Sequence, residues 1–133
     1  MNKRIESWVL EPLLDVQHTD FACVFSADGL LMGKTENVAR DDADRFAAGA
    51  TGLQALSRSV GTAANEGAAW LQTVVETTDG YVLLVAAGEG AYLGVQTGRD
   101  VDLERLTFKV QQLVQSINSY LSAAPREDVG LPS

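Results

Sequence analysis

Three β-rich runs follow one another between Ala69 and Thr97 with only turn residues between them, and any fold for this chain must first house that meander. The runs are residues 70–76, 81–87 and 91–97, separated by Thr78-Asp79-Gly80 and Gly88-Glu89-Gly90. Asp-Gly and Gly-x-Gly accept the positive φ of tight hairpins, and Val, Leu, Tyr, Thr and Trp suit a pleated surface. The sheet is therefore antiparallel here. Residues 81–87 are apolar throughout, which places that run inside the sheet with both faces covered. The first run alternates instead, with Gln72, Thr73 and Glu76, and has neither proline nor lysine to protect it. An edge of that kind is a template for another chain. Trp70, Gln72 and Val74 are therefore expected to be half core and half interface.

The remaining segments must cover this sheet. Ile5, Trp8, Val9, Leu13 and Val16 have helical spacing over residues 3–16, with Pro12 demanding a kink or an early stop. Residues 20–26 form a strand, Ala27-Asp28-Gly29 a tight turn, and residues 30–35 a second strand that fades into polar residues as an edge would. A helix follows from Asp41 or Asp42 to Val60, its first-turn acids complementing the dipole. Phe46, Ala50, Leu53, Ser57 and Val60 supply its face for the sheet. A second stripe, Ala48, Gly49, Gly52, Ala55, Leu56 and Ser59, is almost wholly small. Two interior glycines cost a helix roughly 2 kcal/mol relative to alanine, so a compensating close approach is expected, either another backbone or the helix's own sheet.

Residues 61–67 read as a polar loop bracketed by glycines. Gly98-Arg99-Asp100 reads as a break and a cap before a long helix over residues 101–122, striped by Leu103, Leu106, Val110, Leu113, Val114, Ile117, Tyr120 and Leu121. The order is α-β-β-α-β-β-β-α in one domain, residues 1–123, followed by a flexible tail over residues 124–133.

Composition narrows the partners. The 133 residues can bury a core without staples, and ten basic against eighteen acidic residues give a net charge of −8, which argues against nucleic acid and anionic lipid. Cys23 is the only cysteine, and no apolar stretch reaches membrane-span or signal-peptide length, so a soluble cytoplasmic protein is expected.

Recognisable chemistry is wanting. Gly29-Leu-Leu-Met-Gly33-Lys34-Thr35 looks like a phosphate-binding loop, but three residues stand where four are needed, Asp28 takes the glycine's place, and the segment continues as a strand. His18, the only histidine, lies in a polar link. Cys23 has no basic neighbour in sequence to activate it and reads as a small buried hydrophobe. Asp41, Asp42 and Asp44 fit a solvated helix start better than a cation site, and Trp70, Tyr81 and Tyr92 fit packing better than ligand stacking. No catalytic residue, metal or cofactor is expected.

The hairpin Val24-Phe-Ser-Ala-Asp-Gly-Leu-Leu-Met, the helix Asp41-Asp-Ala-Asp-Arg-Phe-Ala-Ala-Gly-Ala-Thr-Gly-Leu, the strand Gln72-Thr-Val-Val-Glu76 and the run Gly90-Ala-Tyr-Leu-Gly-Val, in this order, resemble the bacterial branch of the roadblock/LC7 superfamily. The resemblance covers residues 5–122. It implies an α/β (α+β) fold, a five-stranded antiparallel sheet with the second helix on one face and the terminal helices on the other. It also implies a homodimer, with third strands paired and second helices packed across the twofold, and a regulatory partner, a Ras-like small GTPase. The gliding-motility members of the family activate GTP hydrolysis by reshaping the partner's switch region, without supplying an arginine finger, and related proteins occur in sets with a histidine-kinase-like protein. A homodimeric adaptor or regulator of such a GTPase is thus the leading expectation. The alternative is a PAS-like or profilin-like sensor or scaffold, whose pocket would draw on Gln72, Thr73 and Gln96. A hydrolase lacks its nucleophile and base.

Overall fold

The structure is a computed structural model that describes residues 4–130, with side chains described as far as Leu121. A one-turn helix α1 (Ser7–Leu10) and a 3₁₀ segment (Glu11–Asp15) precede the hairpin β1 (Thr19–Ser26) and β2 (Leu31–Lys34). Helix α2 (Arg40–Ala64), the meander β3 (Gln72–Glu76), β4 (Gly80–Ala86) and β5 (Ala91–Gly98), and helix α3 (Leu103–Gly130) follow. All strand pairings are antiparallel and the strand order is β2-β1-β5-β4-β3, so the expected five-stranded sheet is present.

The register explains the apolar runs. Ala22 and Val24 of β1 stand opposite Val95 and Leu93 of β5, which stand opposite Leu83 and Val85 of β4. These side chains share one face and pack with Leu10, Leu13 and Val16 and with Leu106, Val110 and Ile117 of α3. The intervening residues Phe25, Leu84 and Tyr92 face the other way and pack under Ala47 and Ala50 of α2. Burial of each large aliphatic side chain contributes about 1.5–3 kcal/mol, so β4 and β5 gain from both faces.

Several boundaries depart from the sequence reading. The first helix is broken: Pro12 offers no N–H, and the chain tightens from α1 into the 3₁₀ segment. Ile5 is outside any helix, and its amide donates to the Met32 carbonyl at 2.8 Å, so the N-terminal segment lies along β2. The contact is close enough that a Cβ on Gly33 would sit 2.5 Å from the Ile5 carbonyl oxygen. Helix α2 passes through Gly61 and ends at Ala64, taking four residues from the expected loop, because one interior glycine lowers helix propensity by only about 1 kcal/mol. Helix α3 starts at Leu103, and its cap is Asp102, whose Oδ1 accepts the Arg105 amide at 3.1 Å, not Asp100. It continues beyond the expected end at Ser122 and through Pro125 to Gly130; residues 131–133 of the expected tail lie outside the described residues.

No helix among the described residues is long and apolar enough to cross a membrane. Gly33→Ala should push the Ile5 segment off β2, lowering stability by about 1–3 kcal/mol in urea denaturation and leaving the Ile5 amide unprotected in hydrogen exchange.

Candidate functional site

Helix α2 presents two unlike faces. Towards the sheet it buries Ala43, Ala47, Ala50 and Gln54, with Phe46 and Leu53 half-buried beside them. Small residues bring the helix close to the strands, and Phe46 lies over Gly94 of β5, where an added Cβ would meet its Cε2 at 2.5 Å. Val60, expected on this inner face, is instead 69% exposed, since the last turns of α2 run past the layer formed by Phe25 and Tyr92.

Ala48, Gly49, Gly52, Ala55, Leu56 and Ser59 all face solvent. A Cβ on Gly49 or Gly52 would meet nothing within 4 Å apart from the helix's own backbone. Close packing of this stripe on its own sheet is therefore overturned as the reason for the glycines. Nothing within the chain compensates their helix-breaking tendency. Leu56 at 66% exposure and Val60 extend the stripe with apolar surface.

The other expected interface residues lie on β3, an outer strand paired only with β4. Val74 and Gln72 stand opposite Leu83 and Val85, so their side chains project on the α3 side of the sheet, and both are exposed. They lie on the opposite face of the sheet from α2. Trp70 is half-buried and turned inward: its ring centroid is 6.0 Å from that of Tyr92, and its indole N–H donates to Thr73 Oγ1 at 2.8 Å. At the opposite end of the sheet β2 is covered by the Ile5 segment, so β3 is the edge left bare.

One constellation went unforeseen. Arg58 of α2 reaches across to β5 and donates from Nη1 to the Tyr92 hydroxyl at 2.7 Å. With Trp70 and the β4–β5 turn it lines a cavity of about 360 Å³. No local pattern links Arg58 and Tyr92, which are 34 positions apart.

The remaining candidates are structural. Thr35 of the apparent phosphate loop is buried; its hydroxyl accepts the Ala22 amide at 3.2 Å and donates to Asn37 Oδ1 at 2.7 Å, tying β1 to the approach to α2. Asp44 and Asp42 accept from Arg40 and Arg45 along the helix surface at 3.3 and 3.2 Å. Among the described residues no group of three or more His, Cys, Asp or Glu could hold a metal ion. Gln72, Thr73 and Gln96 do not converge on one pocket: Gln72 and Thr73 point to opposite faces of β3. His18 is an exposed turn residue with φ 73°, its carbonyl accepting the Gly98 amide at 2.7 Å. Cys23 is fully buried, and burial pushes its thiol up to about 12, offset in part by Lys34.

A five-stranded antiparallel sheet, held between one long helix on one face and the terminal helices on the other, defines an α/β (α+β) fold with a solvent-facing stripe of small residues on α2. The chain belongs to the roadblock/LC7 domain family, whose model matches residues 7–97. A roadblock/LC7 domain from Streptomyces avermitilis is 34% identical, covering 90% of this chain and 99% of its own, with a TM-score of 0.85. MglB of Myxococcus xanthus is 12% identical over 88% of this chain and 94% of its own, with a TM-score of 0.79. The gliding protein MglB of Thermus thermophilus is 16% identical over 84% of each chain, with a TM-score of 0.74. The two MglB likenesses are of fold. No curated protein matches the chain.

Two outcomes follow from this geometry. The raised thiol pKa means that Cys23 is almost wholly protonated up to pH 9, so a disulfide reagent should label it only as fast as the protein opens. In the monomer, Gly49→Ala should raise stability by about 1 kcal/mol in denaturant unfolding, since the methyl group meets only solvent.

Proposed function

We propose that this chain acts as a homodimer that binds a Ras-like small GTPase and modulates its GTP hydrolysis or localisation, supplying no catalytic residue of its own. The observation that carries the reading is the exposed small-residue stripe of α2, whose two glycines have open space around them. Ala48, Gly49, Gly52, Ala55 and Ser59 would let a second α2 approach backbone to backbone, with Leu56 and Val60 providing apolar contact. The free edge of β3 would pair with its copy, and Val74 and Gln72 would face each other's neighbours across that pairing. Trp70 contributes from behind, fixing the start of the strand on Tyr92.

The fold shared with MglB supports the GTPase half of the reading, together with the family to which the chain belongs. The functional unit we propose resides in the cytoplasm, with a histidine-kinase-like protein as a further partner. Its net charge of −8 suits a partner that presents a basic or neutral surface.

Light scattering at micromolar concentration should give twice the chain mass, and Gly52→Leu should shift the protein towards monomer; a wild-type monomer would remove the dimer. Pull-down and single-turnover hydrolysis with Ras-like small GTPases of the source organism should show nucleotide-dependent binding. Binding in neither nucleotide state would remove the GTPase role, while binding without a change in turnover would assign the chain as an adaptor.

A further inference from the structure

We propose that the cavity between the C-terminal half of α2 and the β4–β5 turn is a binding site for a small planar aromatic carboxylate, held by Arg58 against Trp70 and Tyr92. The inference does not rest on the GTPase reading. Its volume of about 360 Å³ lies at the small end of the range for ligand sites, and it joins an aromatic wall to one charged group, the combination that orients small molecules.

The charge decides the sign of the ligand. Among the described residues Arg58 is the only charged one lining the cavity. Three other arginines, Arg40, Arg45 and Arg99, each pair with a carboxylate, as expected in a chain of net charge −8. Arg58 does not: among the described residues its side chain bonds only to the Tyr92 hydroxyl, which takes one of its five N–H groups. Glu66 and Glu89 stand on either side of the lining residues in sequence, yet neither pairs with it. A guanidinium anchored at one nitrogen and open at the others is suited to receive a carboxylate on two N–H groups.

The wall decides its body. Tyr92 is held between Phe25, 5.9 Å away, and Trp70, and only 6% of it is exposed, so the ring has a fixed position. Trp70 is fixed in turn by its bond to Thr73. Trp70, half-buried, is the ring with surface left for a flat apolar ligand, and with Tyr92 behind it little ordering is lost when one packs there. The turn opposite contributes Gly88 and Gly90, both at positive φ, and no atom within 4 Å would meet a side chain on Gly90. The cavity is therefore open beside the turn, and bounded by rings on the other side.

The test is ¹⁵N-¹H NMR titration of the full chain carrying Trp8→Phe, which removes an exposed tryptophan and leaves Trp70 as the one indole signal. With 2-naphthoate at millimolar concentration the Gly88 and Gly90 amides and the Trp70 indole should shift together. The neutral 2-naphthalenemethanol should bind about tenfold more weakly or worse, as should 2-naphthoate to Arg58→Gln, the loss of a charge-assisted contact. Absence of shifts with 2-naphthoate, equal affinity in Arg58→Gln, or equally large shifts with inorganic phosphate would each overturn the proposal. Translational diffusion measured on the same samples reports the oligomeric state separately: binding to a monomer upholds this inference while removing the dimer.

Discussion

The sheet must be covered on both faces, and the rest of the structure depends on that requirement. The middle of β4 and of β5 alternates between two hydrophobic layers, Leu83, Val85, Leu93 and Val95 on one face and Leu84 and Tyr92 on the other, so neither strand has a free face there. The terminal segments share one face. α1, the 3₁₀ segment and α3 bring Leu10, Leu13, Leu106, Val110 and Ile117 to it. The other face is left to α2 alone, and that helix is therefore both a core element and the outermost layer. Its alanines Ala43, Ala47 and Ala50 let it sit low enough for Phe46 to rest on Gly94. A larger residue at Gly94 would lift the helix that carries the candidate seam.

The arrangement also sorts the two sheet edges. β2 ends the sheet on one side, but the segment before α1 bonds to it through Ile5, and Gly33 makes room for that contact. Because α1 begins only at Ser7, the residues before it run extended and cover an edge. β3 receives no such cover. An exposed strand edge with unpaired amides and carbonyls is a feature that domains normally protect unless a partner occupies it.

Much of this was legible in the chain. The turn residues placed every hairpin, though for different reasons: Gly29, Gly88 and Gly90 take positive φ, whereas Gly80 does not and leaves room for the Thr97 backbone, with Thr77 Oγ1 accepting the Asp79 and Gly80 amides. The two faces of α2 were legible from spacing, and the arc through Phe46, Ala50 and Leu53 does meet the sheet. Val60 was misassigned because spacing does not say where a helix runs past the layer beneath it, and the buried Gln54 was missed because an amide on an apolar arc reads as surface. Gly61 and Asp100 misled as boundary signals, each outweighed by better neighbouring geometry, a continuing helix in one case and the Asp102 cap in the other. Arg58 on Tyr92 could not be read at all: the pair exists only once α2 has docked on β5.

The glycines of α2 make the strongest physical case for association. In the isolated chain Gly49 and Gly52 weaken the helix by about 2 kcal/mol together and receive no packing in return. That is a sizeable part of the 5–15 kcal/mol by which domains are usually stable. A cost of this kind persists only where the conformation or surface it permits is used. Alanine at both positions would leave the fold's own contacts unchanged, because none of them reaches those sites. What alanine would change is how near another backbone can come to α2, and it is on this open approach that the proposed association rests.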